Sequence, residues 1–371
     1  MKPVTRRRFI SNVSTVAASL LFPIGLRAST ESEPGKRFGL AFVGLGNYAT
    51  NHLAPAARLS KLWKIAGVVT GDRSKGLSWA RHDGFPERNV FSYQNMAELA
   101  NRSEIDAVYV VTPNGLHAEH VIAAAKAGKH VICEKPMAVS VTECDAMINA
   151  CRTAGRRLLI GYRLHYEPHN IEFARIARQR VFGNFTHMSG ANAFDMGMDP
   201  AAEGSWRLDP KLSGGGPLMD MGVYVVNAAC MAKVEAAPIS VTATFGKVTR
   251  PQLFSRVEQS VDWTMQFGDG SVAECTTSYS EQVSRFRAEG EMGWAQFEDP
   301  AFYYDKPLLT TSKGPVNFPQ VNEQLVQLDA MAVEISNRTP SAAPAEMGRR
   351  DVSIIAAIYE AARTGRRAIV A

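Results

Sequence analysis

The first half of the chain alternates short apolar runs with stretches of helical periodicity. The continuous apolar run at residues 38–43 is typical of a strand buried on both faces of a parallel sheet. Further strands are predicted at residues 62–69, 106–111, 130–133 and 158–163. Because helical stretches separate these runs, the pattern predicts a doubly wound α/β domain over residues 37–160.

From residue 161 onward the pattern changes. Residues 166–180 predict one long helix, and residues 348–364 predict a helix that closes the chain. Between them lie four alternating stretches, residues 240–249, 257–267, 271–280 and 283–297. Asp269-Gly270 predicts a hairpin turn between two of them. We therefore expect a second α/β domain over residues 161–371, built on an open, mainly antiparallel β-sheet.

Residues 1–28 resemble an export signal. The segment Thr5-Arg6-Arg7-Arg8-Phe9-Ile10-Ser11 is similar to the twin-arginine consensus, and Ala28 is a plausible cleavage point. The apolar run at residues 16–21 is too short to span a membrane. We predict a Tat signal peptide, a linker or arm at residues 29–36, a periplasmic mature protein and no membrane association after cleavage. An uncleaved anchor is the alternative.

Charge and cysteine content narrow the function classes. The formal net charge is +5, and residues 1–28 hold five basic residues and no acidic ones. The basic balance therefore belongs to the leader, and it does not indicate nucleic-acid binding. The five cysteines are an odd number without a Cys-x-x-Cys pair, so we expect no disulfide framework. We also expect no metal site.

A glycine-rich turn follows the first strand. The turn Gly44-Leu45-Gly46-Asn47-Tyr48-Ala49 has the pattern G-x-G-x-x-A and leads into a helical stretch. Gly44 permits the tight turn, Gly46 lets the backbone approach a pyrophosphate, and Ala49 keeps the helix close to the strand. In this strand–helix context the turn predicts a Rossmann dinucleotide-binding domain, with Asn47 and Tyr48 beside the cofactor.

The end of the second strand bears on which dinucleotide is bound. The segment Val69-Thr70-Gly71-Asp72-Arg73-Ser74-Lys75 has a hydroxyl where NAD-binding domains carry an acid. Thr70, Arg73 and Lys75 suit a 2′-phosphate, so NADP is favoured. NAD stays possible if the loop is shifted so that Asp72 reaches the ribose.

Other strand ends supply further candidates, because ligands bind at the carboxyl ends of parallel strands. The predicted cofactor contacts from these segments are Tyr93, Pro113, Asn114, His117, Glu134 and Lys135. Lys135 precedes a proline at a strand end and is expected to point toward the nicotinamide. A solvated surface lysine is the alternative.

Residues 214–224 combine a glycine loop with two chemically useful side chains. A helix starting at Pro217 would place Asp220 and Tyr224 four residues apart on one face. A carboxylate and a phenol presented together can transfer protons. The alternative is a buried tyrosine bonded to an aspartate.

Together these residues resemble the Gfo/Idh/MocA family of sugar oxidoreductases over nearly all of the chain after the leader. The motifs that carry the resemblance are Gly44-Leu45-Gly46, Glu134-Lys135-Pro136, Trp206-Arg207 and residues 214–224. Within the family the chain is most similar to the glucose–fructose and aldose–aldose oxidoreductase group, through residues 161–166, 206–208, 218–224 and 358–366.

The resemblance implies a sugar site between the two domains and a sheet that packs face to face in a homodimer or homotetramer. It also implies that the nicotinamide is enclosed by Arg163, Trp206, Arg207 and Tyr303. Most family dehydrogenases have histidine at the position of Tyr224 and aspartate at that of Asn227. Tyrosine at this place agrees with the glucose–fructose group.

The resulting hypothesis is an enzyme with tightly bound NADP. It would oxidise an aldose at C1 to the lactone and then reduce a second aldose or a ketose to the alditol. Tyr224 would accept the proton, Lys135 would favour its phenolate, and Asp220 would orient Lys135 or the sugar. The alternatives are a sugar dehydrogenase with exchangeable cofactor and a non-catalytic sugar-binding protein. The sequence does not identify the sugars.

Overall fold

The first sheet is parallel and has the order expected of a doubly wound domain. The computed structural model describes residues 37–198, 204–304 and 307–370, so the predicted leader and arm lie outside the described residues. The strand order is β3-β2-β1-β4-β5-β6, and every neighbouring pair is parallel. The strands are β1 (Phe38–Val43), β2 (Trp63–Val69), β3 (Val90–Phe91), β4 (Ala107–Val110), β5 (His130–Cys133) and β6 (Leu158–Ile160).

Helices follow these strands close to the predicted positions. The glycine turn leads into a wide helical turn at Ala49–Leu53, which continues as α1 (Ala54–Leu59). The next helices are α2 (Arg73–Asp83), α3 (His117–Lys126) and α4 (Val141–Thr153). Each strand core is fully or nearly fully buried, as the continuous apolar runs predicted.

The second sheet is mixed and mainly antiparallel. Its order is β14-β13-β12-β11-β7-β10-β9-β8-β15, and the exception is the parallel pair of β7 and β10. The strands are β7 (Phe185–Ala193), β8 (Ser240–Phe245), β9 (Ser260–Gln266), β10 (Val272–Ser278), β11 (Val283–Gly290), β12 (Gly293–Phe297), β13 (Leu309–Thr311), β14 (Gly314–Val316) and β15 (Ala368–Ile369).

Two details of this sheet correct the sequence-based expectations. The stretch 283–297 is a hairpin of β11 and β12, because the chain turns between Gly290 and Gly293. Strand β7 was not predicted, since its small and polar residues do not alternate. The hairpin turn at Asp269-Gly270 is confirmed, with Gly270 at a φ of +88°.

Helices cover one face of the second sheet. These are α5 (Pro168–Arg178), α7 (Val223–Ala232) and α9 (Ala345–Thr364), and α6 (Pro210–Ser213) precedes the glycine loop. Phe173 of α5 packs against Phe185 and Phe286 at ring distances of 5.9 Å. Along β9, β10 and β11 the alternate residues are buried, so the opposite face is open.

The C-terminal helices also return to the parallel sheet. Trp63 Nε1 donates a hydrogen bond to the Leu328 carbonyl of α8 (Glu323–Asn337) over 2.6 Å, and Arg349 of α9 pairs with Asp145 of α4 at 2.6 Å. Helix α8 was not predicted. One apolar core consequently runs through both sheets. Within the described residues, no helix is long and apolar enough to cross a membrane.

Candidate active site

Several predicted residues lie along one edge of the parallel sheet. Gly44, Thr70, Pro113 and Lys135 follow the carboxyl ends of β1, β2, β4 and β5. Strands β1 and β4 are neighbours, although β2 and β3 lie between them in the sequence. Successive strands are added on opposite sides of this point, so a crevice opens there, and such a crevice is the usual ligand site of an open α/β sheet.

The glycine turn has the geometry that a dinucleotide needs. Gly44 has a φ of +95°, and a Cβ there would lie 2.9 Å from Thr112 Cγ2. Gly46 is different, because a Cβ built on it would meet no protein atom within 4 Å. Backbone conformation and packing within the protein therefore explain why residue 44 is glycine. Gly46 instead faces open space where a pyrophosphate could approach.

The loop after β2 uses its acidic residue structurally. Asp72 caps α2 by accepting hydrogen bonds from the backbone N–H groups of Ser74 and Lys75 at 2.9 and 3.1 Å. Lys75 Nζ donates to the Leu45 carbonyl, which ties this loop to the glycine turn. Arg73 is exposed as the first residue of α2. The predicted cations thus flank the turn while Asp72 serves as a cap.

Thr70 and Tyr93 lie beside this loop. Thr70 Oγ1 accepts from the Asp72 backbone N–H at 3.1 Å, and Thr70 is buried. Tyr93 stacks on His120 with ring centroids 4.9 Å apart. Its ring edge is 3.6 Å from the position of a Cβ on Gly71, so Tyr93 forms a wall of the same pocket.

Asn114 and His117 tie the segment after β4 to other parts of the chain. Asn114 Nδ2 donates to the Ser213 carbonyl at 2.9 Å. The ring nitrogens of His117 lie 3.0 and 2.8 Å from the carbonyls of Pro136 and Thr112. Burial lowers the pKa of His117 to about 4, so the ring is neutral and donates to one of these carbonyls at a time. His117 is 1% exposed and does not open onto the crevice.

The three predicted catalytic residues lie together. Lys135 Nζ donates to the Asp220 carbonyl at 3.0 Å and lies 3.8 Å from Asp220 Oδ1. The same Nζ is 4.4 Å from the centroid of the Tyr224 ring. Asp220 lies in a wide helical turn at Leu218–Gly222, and Tyr224 lies in the α-helix that continues it. The predicted helix is therefore present, with a wide first turn.

The Asp220 carboxylate contacts two cationic side chains and one hydroxyl group. Arg207 Nε donates to Asp220 Oδ2 at 2.7 Å, and the Tyr279 hydroxyl donates to the same oxygen at 3.1 Å. Burial acts to raise the pKa of Asp220, but Arg207 and Lys135 outweigh it and hold the pKa below its usual value. Asp220 is therefore ionised near neutral pH. Arg207 also lies over the Trp206 ring at 4.8 Å.

Tyr224 lies close to two cations, the buried Arg163 and the partly buried Lys135. Arg163 Cζ is 5.3 Å from its ring centroid, in addition to the Lys135 contact. Burial raises the pKa of Tyr224 to about 12, and Arg163 is the group that most opposes the rise. The expected helper Lys135 lies over the ring face. Both cations therefore lie close enough to favour the phenolate.

Glu134 lies beneath the site. It is 7% exposed, and its Oε1 accepts a hydrogen bond from the Tyr109 hydroxyl at 2.6 Å. Burial raises the pKa of Glu134, and the bond from Tyr109 opposes the rise. A Cβ on Gly161 would lie 2.5 Å from Glu134 Oε1. Glu134 therefore supports the loop that carries Lys135.

The adjacent residues Tyr303 and Tyr304 have different neighbours. The Tyr303 hydroxyl accepts from Gln282 Nε2 at 2.7 Å, away from Arg163. Tyr304 is the residue beside Arg163, with its ring 4.6 Å from Arg163 Cζ and 5.9 Å from the Tyr48 ring. The loop before β13 thereby reaches the predicted cofactor residue Tyr48.

These residues fit a nicotinamide dinucleotide. Gly46 leaves open space beside its backbone, and Arg163 Nη1 is buried without a hydrogen-bond acceptor among the described residues. Lys135 and Tyr224 lie at the same end of the crevice as Arg163. In the part of the chain that the structure describes, no three His, Cys, Asp or Glu side chains are grouped to hold a metal ion.

Comparison with known proteins agrees with this geometry. Residues 38–162 match the model of the oxidoreductase family with an NAD-binding Rossmann fold, and residues 172–296 match the GFO/IDH/MocA C-terminal domain. The structure of aldose–aldose oxidoreductase from Caulobacter crescentus, complexed with glycerol, is 34% identical, has a TM-score of 0.84 and covers 90% of this chain and 99% of its own. The chain belongs to the Gfo/Idh/MocA oxidoreductase family.

Other members of the Gfo/Idh/MocA family are more distant in sequence. The D-xylose 1-dehydrogenase [NADP(+)] of Haloarcula marismortui is 28% identical over 87% of this chain and 91% of its own length. The 1,5-anhydro-D-fructose reductase of Ensifer adhaerens is 28% identical over 69% of this chain and 74% of its own. The chain is thus an oxidoreductase with the fold and domain order of a large enzyme family.

Sequence reasoning missed four residues of this Gfo/Idh/MocA site. Tyr279 follows β10, Phe302 and Tyr304 lie in the loop before β13, and Glu323 begins α8. None of them belongs to a local motif, because each reaches the site through the packing of the second domain. Tyr279 had one available signal, since it ends a predicted strand.

The two glycines of the turn make a matched pair for a test. Gly46→Ala should leave the free energy of unfolding nearly unchanged and weaken dinucleotide binding, because its Cβ would occupy ligand space. Gly44→Ala should lower the free energy of unfolding by about 1–3 kcal/mol, because its φ is strained for alanine and Thr112 is in the way. Urea unfolding and fluorescence titration with NADPH measure the two effects. Normal NADPH affinity in Gly46→Ala would contradict the assignment of the open space at Gly46 to the pyrophosphate of the cofactor.

Proposed function

We propose that this protein is a periplasmic sugar oxidoreductase that keeps NADP bound. It oxidises an aldose at C1 to the lactone and then reduces a second aldose or a ketose to the alditol. The observation that supports this most directly is the cluster of Lys135, Asp220 and Tyr224 at the carboxyl end of the parallel sheet. The Caulobacter relative is named an aldose–aldose oxidoreductase, which favours the same pair of half-reactions.

Tyr224 is the proton carrier in this scheme. In the oxidative half-reaction its phenolate accepts the proton of the anomeric hydroxyl while C1 loses a hydride. In the reductive half-reaction the phenol returns that proton to the oxygen of the second sugar. With the pKa of Tyr224 at about 12 in this arrangement, the phenol is the resting form near neutral pH. Bound oxidised nicotinamide supplies the hydride acceptor and a positive charge that favours the phenolate.

Lys135 and Asp220 prepare the site for this transfer. The Asp220 carbonyl and carboxylate hold Lys135 Nζ in place. From there the ammonium can donate to the sugar oxygen on which negative charge develops. Asp220 stays ionised through Arg207 and Lys135, so its role is to position these cations.

NADP is the favoured cofactor. The Asp72 carboxylate already caps α2, and Arg73 and Lys75 follow it as cations that suit a 2′-phosphate. The Haloarcula relative is named for NADP(+). These observations support NADP over NAD.

The leader supports cofactor retention. A protein exported after folding carries its dinucleotide into a compartment that has no pool to replace it. The bound cofactor must then be restored in place, and a second sugar as oxidant satisfies that need. Alternating release of lactone and alditol gives ping-pong kinetics.

The open face of the second sheet is the proposed contact between subunits. It forms a concavity of about 580 Å³ with small and polar side chains along β8, β9 and β10. Helices cover the other face, so this surface is free for a second copy of the chain in a dimer or tetramer.

The first test removes the proton carrier. Tyr224→Phe should lower kcat by about 10²–10⁴-fold while sugar binding is kept, because the hydroxyl acts in the transfer and the ring packing remains. Tyr166→Phe is the matched control, since that buried hydroxyl bonds to Glu334 away from the site. Steady-state rates and isothermal titration with sugar measure the two effects. Wild-type turnover in Tyr224→Phe would remove the assignment.

The second test follows the cofactor. The purified mature protein should carry a nicotinamide dinucleotide through dialysis. A donor aldose should produce the absorbance band of the reduced form, and an acceptor sugar should bleach it. Stoichiometric loss of the cofactor on dialysis would favour a dehydrogenase with exchangeable cofactor. Sugar binding with no change in the band would favour a binding protein.

The third test concerns export. Replacing Arg6 and Arg7 by lysine should keep the precursor in the cytoplasm, because the twin-arginine pathway requires both residues. Replacing Arg27 by lysine is the control and should leave export intact. Cell fractionation with immunoblotting measures the distribution. Equal export of the two variants would contradict the proposed route.

A further inference from the structure

We propose that the buried pair of Arg163 and Glu323 sets the ionisation of Tyr224. Arg163 acts as a positioning residue that stabilises the phenolate, and Glu323 limits that effect. The consequence for catalysis rests on the proposed role of Tyr224 as proton carrier, whereas the charge coupling itself does not.

Arg163 is held rigidly beside Tyr224. It follows β6, is 2% exposed, and its Nη2 donates to the Phe302 carbonyl. Its Cζ lies 4.6 Å from the Tyr304 ring and 5.3 Å from the Tyr224 ring. A guanidinium fixed in this way, with little water around it, exerts a strong field on a neighbouring phenol.

Glu323 supplies the opposing charge from another part of the chain. It is the first residue of α8, is fully buried, and its Oε2 lies 3.2 Å from Arg163 Nε. Its carboxylate stabilises the cation, and it also raises the pKa of Tyr224. The two members of the pair therefore act on Tyr224 with opposite sign.

Lys135 has a different role in this arrangement. Its ammonium lies over the ring face and is directed to the Asp220 carbonyl and carboxylate. The groups that face Tyr224 from every surrounding element are Glu134 and Lys135 after β5, Arg163 after β6, Asp220 on its own helix, Tyr304 before β13, Glu323 on α8 and Tyr48 after β1. Arg163 is fixed between the Glu323 carboxylate and the Phe302 carbonyl, and its charge lowers the pKa of Tyr224.

Neutralising each member of the pair gives opposite predictions. The kcat pH profile has a limb that reports the pKa of the base. Arg163→Met should shift this limb to higher pH by about one pH unit or more, because a nearby positive charge is lost. Glu323→Gln should shift the same limb to lower pH, because a negative charge near Tyr224 is lost. Arg163→Lys should give a smaller upward shift than Arg163→Met. Arg88→Met, at an exposed pair with Glu104, should leave the limb in place.

A spectroscopic measurement separates this inference from the proposed function. The ¹³Cζ signal of labelled Tyr224, assigned by its loss in Tyr224→Phe, should titrate at lower pH in Glu323→Gln than in the wild type. Arg163→Lys is measured as well, in case Arg163→Met does not fold. A shift of this signal with an unmoved kinetic limb would sustain the inference and remove Tyr224 as the base. The inference would be overturned if the Tyr224 signal titrated at the same pH in Glu323→Gln as in the wild type. It would also be overturned if the Arg163 and Glu323 variants shifted the titration in the same direction.

Discussion

The site depends on the pairing of charges that are shielded from water. A buried ion is costly unless an opposite charge and hydrogen bonds accompany it. Lys135 and Arg207 share Asp220, and Arg163 has Glu323 at 3.2 Å. These pairs also join distant segments, since their members follow strands of the parallel sheet or belong to the second domain. The ion pairs that hold the walls of the crevice together therefore also determine the ionisation of the groups inside it.

In the proposed proton transfer, both domains contribute a residue. The parallel sheet presents Lys135 at the end of β5, and the helix of the second domain presents Tyr224. Their 4.4 Å contact forms where the two parts meet. The loop with Phe302 and Tyr304 then covers Tyr224 and Arg163 from the side of the second sheet. A change at the interface of the domains would thus alter the proton chemistry without touching a catalytic atom.

Short sequence motifs predicted the features that depend on the conformation of a single segment. The glycine turn, the strand ends and the placement of Asp220 and Tyr224 in one helical segment follow from backbone geometry and helical spacing, and short segments of sequence were enough to predict them. Glu323 could not be predicted, because its contact with Arg163 joins residues far apart in the chain, and Tyr279 had only its place near the end of a predicted strand as a signal. The adjacent Tyr303 and Tyr304 show the same limit, since Tyr304 is the one beside Arg163. In a loop no periodicity decides which of two adjacent tyrosines turns inward.

Asn227 holds buried polar groups together beside Tyr224 in the same helix. The resemblance implies aspartate at this position, and histidine at that of Tyr224, in most family dehydrogenases. Here Asn227 Nδ2 donates to Asp351 Oδ2 at 2.8 Å, and its Oδ1 lies 2.7 Å from His165 Nε2. An aspartate could not donate, and its charge would lie against Asp351 in a buried place. A neutral amide removes that repulsion and uses both of its polar atoms. Asn227 therefore joins the helix that carries Tyr224 to α9 and to the segment after β6 through polar contacts.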